Sequence, residues 1–435
     1  MPRTAHATRP RKPLIRWSRP LPLTLAGALA GLHLCELPDK LKPNLVMRPR
    51  LSVTVSGNKR PLPRPCHADG TVTPLPTRRP PHIAVLGAGG FVGSHLVPRL
   101  AGRATIDAVD VTFHKLASGL PGVRRIQASI TKPGLLEAIT ARADIVISLT
   151  ALCNPALYNT RPLDVIDASY TDLVPLVKLC AERKRWLIHL STCEVYGRRA
   201  LTPSGRPSRR MDEEKTALFL GPIHRERWTY AAAKQLLERV IWAYGQHEGL
   251  KFTIVRPFNV IGPRMDFIPG VDGEGIPRVL AAFMHALLGG KDLILVDGGR
   301  QRRSFLYVDE FVDALLRIVE RPERCQGHIL NLGNDRNDVS IRALARAVVS
   351  AFRVQQPDGP APRLRSQSAA EFYGPGYDDS AVRIPAMTKA RTLLDWRPRL
   401  TLSQMLPPIV ADYLARYPWK IAGDSPVRAA TPGVP

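Results

Sequence analysis

Residues 85–93 read Val85-Leu86-Gly87-Ala88-Gly89-Gly90-Phe91-Val92-Gly93. An apolar run typical of a strand, His82–Leu86, leads into the glycines, and a run with helical periodicity, Phe91–Leu100, follows them. The glycines at 87, 90 and 93 permit a tight turn, a close approach of the backbone to a pyrophosphate, and a closely packed helix start. The stretch therefore predicts a strand–turn–helix unit that binds a dinucleotide.

An acidic residue follows at the spacing that ribose binding requires. Asp110 lies 20 residues beyond Gly90, at the end of the predicted strand Ile106–Val111. A carboxylate there can bind the hydroxyl groups of the adenosine ribose, whereas it would repel a 2′-phosphate. The sequence therefore predicts NAD as the cofactor. The expected cofactor-binding residues are Gly87, Gly90, Phe91, Val92, Gly93, Asp110, Tyr230 and Lys234.

Strand-like apolar runs alternate with helical patterns from His82 to Pro257. This alternation predicts an α/β fold with a doubly wound parallel sheet of the Rossmann type. After Arg256 the segments become shorter and richer in Gly and Pro, which indicates a smaller α/β lobe that binds substrate. The expected boundaries are 82–260 for the Rossmann domain, 261–420 for a lobe partly interleaved with it through 300–334, and 421–435 for a tail.

Residues 1–81 differ in composition from the rest of the chain. They contain 15 of the 41 prolines and show no amphipathic periodicity, so we expect a basic, mostly disordered extension. An apolar run from Leu21 to Leu34 resembles a signal peptide only superficially, because prolines lie at its start and no clear cleavage site follows. No run is long enough to predict a membrane span. We therefore expect a cytoplasmic protein without a membrane partner.

The formal net charge is +25, and the chain has six cysteines. The charge is concentrated in residues 1–81, and the remainder lacks a basic run interleaved with aromatic residues of the kind that stacks on bases. An anionic small molecule is thus a better prediction than nucleic acid. The cysteines are scattered without a CxxC pair, so we expect free thiols and no metal site.

Tyr230 and Lys234 are separated by three alanines on a predicted helix, Tyr230–Tyr244. Side chains four residues apart share one helix face, so the Lys234 ammonium can lower the pKa of the Tyr230 phenol. A tyrosinate can then accept a proton from an alcohol while a hydride leaves for NAD. Thr192, which follows the predicted strand Trp186–Ser191, can hydrogen-bond the same substrate oxygen. Together these residues predict an alcohol-oxidising site.

Other motifs make a family resemblance specific. They are Tyr158–Asp164 (YNTRPLD), Arg227–Tyr230 (RWTY), Arg256–Asn259 (RPFN), Gly262–Gly270 (GPRMDFIPG) and the segment from Phe372 to Pro385. From His82 to about Tyr417, the chain resembles the extended short-chain dehydrogenases/reductases of the NAD-dependent epimerase/dehydratase family. Within that family it resembles the UDP-glucuronate decarboxylases, and most closely the UDP-apiose/UDP-xylose synthases.

The resemblance implies an enzyme that oxidises UDP-glucuronate at C4 with NAD, decarboxylates it, contracts the ring and reduces it again. The products would be UDP-apiose and UDP-xylose. Tyr230, Lys234 and Thr192 would carry the oxidation, and the resulting β-keto acid would lose carbon dioxide. By resemblance, Glu194 is the acid/base near C5, and Arg383 contacts the carboxylate or the sugar. Arg227 can also reach the sugar.

The resemblance also assigns binding and ring-contraction residues. Cys153 and Cys193 match cysteines that are thought to assist ring opening and contraction, while Cys180 and Cys325 are expected to be small apolar core residues. A homodimer is expected on the same ground. The residues expected to bind the UDP group are Asn259, Arg278, Arg303 and Tyr377.

Three other functions stay open at this point. A decarboxylase could stop at UDP-xylose or the 4-keto-pentose, and a non-catalytic regulator could keep the dinucleotide fold without turnover. A C4 epimerase is disfavoured, because Glu194 and Arg383 suit carboxylate chemistry.

Overall fold

The computed structural model describes residues 80–198, 201–202, 204–273, 275–359, 361–374 and 378–417. The extension predicted to be disordered, apart from Pro80 and Pro81, and the tail 421–435 lie outside these residues. The strands are β1 (His82–Leu86), β2 (Thr105–Asp110), β3 (Val123–Gln127), β4 (Ile145–Ser148), β5 (Trp186–Leu190), β6 (Phe252–Pro257), β7 (Val260–Ile261), β8 (Leu293–Val296), β9 (Arg302–Ser304), β10 (Leu306–Tyr307), β11 (His328–Leu332), β12 (Asp338–Ser340), β13 (Leu364–Gln367) and β14 (Val382–Arg383). The helices are α1 (Phe91–Leu100), α2 (Leu135–Arg142), α3 (Pro155–Thr160), α4 (Pro162–Ser169), α5 (Val174–Glu182), α6 (Thr229–His247), α7 (Val279–Leu288), α8 (Val308–Val319), α9 (Pro322–Cys325), α10 (Ile341–Gln355), α11 (Ala369–Tyr373), α12 (Thr388–Leu394) and α13 (Leu402–Arg416).

Seven parallel strands form the central sheet in the order β11-β6-β5-β4-β1-β2-β3. The chain moves outward from β1 to β2 and β3, then returns to the other side of β1 with β4. Ligands of such sheets bind at the carboxyl ends of the strands, where the order reverses. The predicted Rossmann-type α/β fold is confirmed, and its reversal point lies between β1 and β4.

Apolar side chains on both faces explain why the inner strands are buried. Every residue of β4 and β5 is buried, as expected for parallel strands covered by helices on both sides. One core contains Leu96 of α1 and Phe311 of α8. The opposite core contains Leu176 of α5 and Leu237 of α6. Both helical layers therefore hold the strand ends of the site in fixed positions.

The sequence pattern missed one strand and two helices in this region. Strand β3 lies at the sheet edge and is mostly exposed, so it lacks the apolar alternation that would have predicted it. Helices α3 and α4 are short and begin with prolines, which suit a first helical turn. The other predicted elements of the central sheet are confirmed, with ends that differ by up to three residues.

Strand β11 returns to the central sheet, as the pattern over residues 300–334 indicated. Helix α8 packs beside α1 in the same apolar core. A separate core joins α7, α10 and α13 with β8, and β9 pairs with both β12 and β14. The boundaries near residues 260 and 420 stay predictions. No helix of the described residues is long and apolar enough to cross a membrane.

Candidate active site

A cavity of about 470 Å³ lies along the carboxyl ends of the central strands and extends to α7, α11 and β9. Asp110 and Lys234 do not line it, although Lys234 lies on α6, whose Tyr230 does. Tyr377 is outside the described residues. The predicted site residues that line the cavity are Gly87, Gly90, Phe91, Val92, Gly93, Cys153, Thr192, Cys193, Glu194, Arg227, Tyr230, Asn259, Arg278, Arg303 and Arg383.

The glycine turn leaves no room for side chains at two positions. A Cβ on Gly93 would lie 2.4 Å from the carbonyl oxygen of Gly87, and a Cβ on Gly89 would lie 1.8 Å from that of Thr112. Gly87 has a φ of 83°, which favours glycine. At Gly90, by contrast, an added Cβ would meet nothing closer than 3.4 Å. The open side of the turn at Gly90 therefore suits a bound pyrophosphate, and the steric role of Gly89 was missed by sequence reasoning.

Asp110 is fixed by backbone amides at the end of β2. Its carboxylate accepts hydrogen bonds from the N–H groups of Gly89 at 2.9 Å and Thr112 at 3.2 Å. The acid is thereby held beside the glycine turn, with its orientation set by the backbone. Both features fit a dinucleotide whose phosphates meet the turn and whose ribose meets the acid.

Tyr230 lies at the cavity wall near the start of α6 and is 5% exposed. A hydrogen bond joins it to Thr192, and Tyr158 stacks on its ring with a centroid distance of 5.2 Å. The pKa of Tyr230 is raised well above its ordinary value, mainly by burial and then by the neighbouring Cys153 and Glu194. We expected Lys234 to lower the pKa of Tyr230, but burial outweighs that effect. The hydrogen bond with Thr192 opposes the rise in this pKa only in part.

Lys234 lies one turn further along α6 and is fully buried. Its Nζ donates to the carbonyl oxygens of Leu190 at 3.0 Å and Thr150 at 3.4 Å. These carbonyls lie at the carboxyl ends of β5 and β4, so the ammonium is clamped between two strands. Burial lowers the pKa of Lys234 to about 8, while Cys153 and Glu238 act in the opposite direction.

Glu194 lies in the short turn after β5 and is held by two arginines. Arg227 donates to both of its oxygens, at 2.5 and 3.0 Å, and Arg383 donates at 3.1 Å. Burial alone would raise the pKa of Glu194, but the two guanidinium groups bring it below the ordinary value. Glu194 is therefore an ionised carboxylate at neutral pH.

Asp379 completes this cluster, although sequence reasoning assigned it no role. It accepts hydrogen bonds from Arg303 at 2.7 Å and Arg383 at 2.6 Å. Burial opposes its ionisation, but the arginines nevertheless hold its pKa far below the usual range. Its position four residues before Arg383 was the available signal, but nothing in the sequence indicated its contact with Arg303. Arg303, expected at a phosphate, thus lies in the same cluster as Arg383.

The cluster has an unbalanced charge that bears on its ligand. Three guanidinium groups, those of Arg227, Arg303 and Arg383, surround two carboxylates, those of Glu194 and Asp379. All five side chains line the cavity. Among the described residues, this cluster therefore has one more positive than negative charge, which favours an anionic group in the cavity.

Cys153 and Cys193 both line the cavity, after β4 and β5 respectively. Cys153 is exposed, whereas Cys193 is buried and its pKa is raised by burial to about 11. Cys193 is thus a neutral thiol at neutral pH. Cys180 and Cys325 are buried in apolar cores, as expected for small apolar residues.

Arg278 and Asn259 are two of the three described residues expected at the UDP group, and both are held by hydrogen bonds within the protein. Arg278 precedes α7 and donates to Asp266 at 3.1 Å and to the carbonyl of Met265 at 2.9 Å. Asn259 has a φ of 35° and donates to the carbonyl of Ser304 at 3.0 Å. Both side chains are held by the protein while still lining the cavity.

A Rossmann sheet with a Thr–Tyr–Lys set at its reversal point defines an enzyme that oxidises an alcohol with a dinucleotide. Residues 83–333 match the NAD dependent epimerase/dehydratase family, and the chain belongs to this family. Its cofactor is accordingly NAD, and the turn at Gly87–Gly93 with Asp110 fits that group.

Proteins with similar sequences narrow the comparison. The chain is 44% identical to UDP-D-apiose/UDP-D-xylose synthase 1 of Arabidopsis thaliana over 352 residues, which cover 75% of this chain and 90% of the relative. It is 43% identical to UDP-D-apiose/UDP-D-xylose synthase of Oryza sativa subsp. japonica over 347 residues, covering 74% and 87%.

Solved structures share the fold. The PbgP3 protein of Burkholderia pseudomallei superposes with a TM-score of 0.67 at 30% identity, covering 78% of this chain and 98% of that one. UDP-glucuronic acid 4-epimerase of Bacillus cereus superposes with a TM-score of 0.61 at 21% identity, covering 77% and 100%. The second likeness concerns the fold alone.

Proposed function

We propose that this enzyme converts UDP-glucuronate to UDP-apiose and UDP-xylose, and that NAD is regenerated within each turnover. The observation that carries the proposal is the cluster of three arginines and two carboxylates beside Thr192 and Tyr230. It combines an alcohol-oxidising set with a binding site for one further negative charge. The identity of 43–44% with relatives that bear this activity in their names supports the same assignment.

The first step is oxidation at C4 of the glucuronate. NAD, when bound, takes up the C4 hydride and returns it later in the cycle. Tyr230 accepts the hydroxyl proton, and Thr192 holds the same oxygen through its hydroxyl group. Lys234 supplies the fixed positive charge that opposes the burial of a tyrosinate.

The second step is loss of the C6 carboxylate. A 4-keto group places the carbonyl β to this carboxylate, so the electrons left by carbon dioxide are delocalised onto the C4 oxygen. Arg383 and Arg227 hold the carboxylate before it leaves. Decarboxylation takes up one proton, which goes to C5. We assign its delivery to Glu194, which is ionised at rest and must receive a proton from solvent before each delivery.

At the third step, the routes to the two products diverge. Return of the hydride to C4 gives UDP-xylose. Cleavage of the C2–C3 bond, reclosure to a smaller ring and reduction of the exposed aldehyde give the isomer UDP-apiose, so neither route changes the net redox state. Bond cleavage and reclosure require proton transfers at the sugar oxygens. We assign these transfers to Cys193, a neutral thiol after β5, and to Cys153, which follows the neighbouring strand β4.

UDP binding is assigned to the α7 side of the cavity. Arg278 supplies positive charge for the diphosphate, and Asn259 supplies a polar side chain. Tyr377 is assigned to the same group by its resemblance to the family. The scattered thiols favour the cytoplasm as the compartment.

We also propose that two copies pair through α6. Leu236 and Trp242 on this helix are 46% and 44% exposed. Large apolar side chains on the solvent side of a helix favour an interface with a second copy.

Release of carbon dioxide tests the oxidation and decarboxylation steps. The purified protein with NAD should release carbon dioxide from UDP-glucuronate without net formation of NADH. Tyr230→Phe should reduce the rate by about 100-fold or more, because general base catalysis is lost, while UDP-glucuronate binding measured by calorimetry persists. Absence of carbon dioxide with the wild-type protein would refute the proposed function.

A further inference from the structure

Two neighbouring strands place polar side chains on a face of the central sheet that is otherwise apolar. Ser148 of β4 and His189 of β5 are direct neighbours in the parallel register, and each is at most 1% exposed. The residues two positions earlier, Val146 and Leu187, belong to the apolar core under α5 and α6. Because side chains alternate along a strand, Ser148 and His189 point into that same layer.

Several buried polar atoms in this region lack a hydrogen-bond partner among the described residues. They are the hydroxyl oxygens of Ser148, Thr150 and Ser191 and the Nε2 of His189. A buried polar group without a hydrogen-bond partner destabilises the folded state, so several together would remove much of the small net stability that proteins have. Proteins commonly satisfy such groups with ordered internal water.

The same region lies directly behind the catalytic ammonium group. Thr150 donates no hydrogen bond from its hydroxyl to any described residue, but its carbonyl oxygen accepts one from Lys234, as does the carbonyl of Leu190 between His189 and Ser191. Burial lowers the pKa of His189 well below its ordinary value, and the positive charge of Lys234 lowers it further. His189 is therefore neutral, and Lys234 is close enough to disfavour its protonated form.

We propose that Ser148, Thr150, His189 and Ser191 form a buried water-binding site, and that its water molecules solvate the Lys234 ammonium during the reaction. This assigns positioning residues behind the catalytic face of the sheet. The inference rests on the proposed function only where it concerns the reaction, since the water site itself follows from the buried polar atoms.

The charged groups near Lys234 do not account for the solvation of its ammonium on the buried side. Glu238, one turn along α6, is bonded to Arg256 through both of its oxygens. Among the acids of α4, which packs against α6, Asp164 pairs with Arg161 and Asp167 is exposed. Cys153 lies on the cavity side. Water held by the hydroxyl groups and His189 would therefore be the polar medium on the buried side of the ammonium.

A crystal structure of the full chain tests the water site directly, without any substrate. At a resolution that shows ordered water, we expect density within hydrogen-bonding distance of the Ser148 hydroxyl and the His189 Nε2. Density that shows these atoms without water would overturn the proposal. Because this measurement needs no turnover, it stands even if UDP-glucuronate is not the substrate.

The pH profile tests the effect on Lys234. In Ser148→Ala and His189→Leu, the ammonium loses part of its solvation, so the alkaline limb of the decarboxylation rate should move to lower pH by about 1 unit. Ser148→Ala keeps the measurement possible if His189→Leu fails to fold. Thr253→Val is the matched control, because its buried hydroxyl bonds Trp186 and Cys325 within the opposite apolar layer.

Thr253→Val should lower thermal stability and leave the pH limb in place. A shift in both test variants, with water in the crystal structure, supports the proposal. Water present but an unchanged limb in folded variants would overturn the positioning role, and a water site absent from the density would overturn both parts.

Discussion

Single residues of this site work as buried groups whose charges are set by their neighbours. Glu194 and Asp379 remain ionised because arginines surround them. Tyr230 and Lys234 lie on the same helix, yet burial moves the pKa of the phenol up and that of the ammonium down. Both pKa shifts disfavour the charged form of the side chain. Tyr230 and Lys234 therefore depend on neighbouring groups that stabilise the tyrosinate and the ammonium.

The charge of Lys234 gives a prediction about pH. Its pKa is lowered to about 8, and the ammonium is the form that assists Tyr230. We therefore expect kcat to fall as the pH rises through about 8, since the ammonium is then lost. Lys234→Arg should keep the charge to much higher pH and move this alkaline limb upward.

Lys178→Arg is the matched control, because Lys178 is exposed on α5. It should leave the limb unchanged. The interpretation is wrong if the wild-type limb lies near the ordinary lysine pKa, or if Lys234→Arg keeps activity with an unmoved limb.

Residue types, spacing and the family resemblance singled out side chains that the fold brings together, but not the contacts that decide their charges. Thr192, Glu194, Tyr230 and Arg383 line one cavity, as expected. Asp379 was missed because its partner Arg303 is distant in sequence and meets it only through the pairing of β14 with β9. Burial also depends on residues that are distant in sequence. The sequence therefore could not show that burial outweighs Lys234 in setting the pKa of Tyr230.

At the level of elements, the site is assembled by strand ends and by one turn. The glycine turn after β1 lines the cavity, Cys153 and Thr192 follow β4 and β5, and the pairing of β9 with β14 places Arg303 and Arg383 in the same cavity. Strong apolar runs predicted the inner strands. Apolar alternation is weaker in the edge strand β3 and in the short strands outside the central sheet. These strands form through pairing with distant parts of the chain, so the sequence pattern alone did not predict them.

The glycine turn separates a folding role from a binding role. Gly93→Ala places a Cβ 2.4 Å from a backbone oxygen, so we expect a lower melting temperature. Gly90→Ala has 3.4 Å of space and should fold normally, but its methyl group should weaken NAD binding by hindering the pyrophosphate. Calorimetric melting and NAD titration measure the two effects. Equal melting temperatures for the two variants would contradict this division.

The pairing of β14 with β9 gives a prediction about substrate charge. Arg383→Ala removes the excess positive charge of the cluster, so binding of UDP-glucuronate should weaken about 10- to 100-fold, as expected for a charged hydrogen bond worth about 1.5–3 kcal/mol. UDP-glucose lacks the carboxylate, so its binding should change little. Titration calorimetry with both nucleotides measures the difference.

Arg302→Ala is the control, since Arg302 neighbours the cluster on β9 but pairs with Asp338 near the surface. It should leave both affinities unchanged. An equal loss for the two nucleotides in Arg383→Ala would show that Arg383 does not read the carboxylate.

At the scale of the described fold, the carboxyl ends of the central strands line the cavity together with α7, which belongs to a separate apolar core. Composition and alternation along the chain were sufficient for the fold class, whereas the return of β11 to the central sheet was only indicated. The exposed face of α6 carries no sequence signal of its own, because Leu236 and Trp242 read as part of an ordinary helix.

The proposed pairing through α6 predicts a measurable change of mass. Sedimentation equilibrium of the wild-type protein should give a dimer. Trp242→Glu together with Leu236→Glu should shift it to a monomer, because paired copies would bury like charges against each other. Val354→Glu, at a more exposed apolar position on α10, is the control. A monomeric wild-type protein, or a dimer that survives the double variant, would contradict the pairing.

The identity of the sugar products shows most directly whether the enzyme contracts the sugar ring. UDP-glucuronate and catalytic NAD are incubated with the wild-type protein and with Cys153→Ser/Cys193→Ser, and the products are identified by NMR. From the wild-type protein we expect UDP-xylose together with a branched pentose or its cyclic phosphate. The double variant should form less of the branched sugar. UDP-xylose or the 4-keto-pentose alone from the wild-type protein would contradict ring contraction, while leaving the oxidation and decarboxylation steps intact.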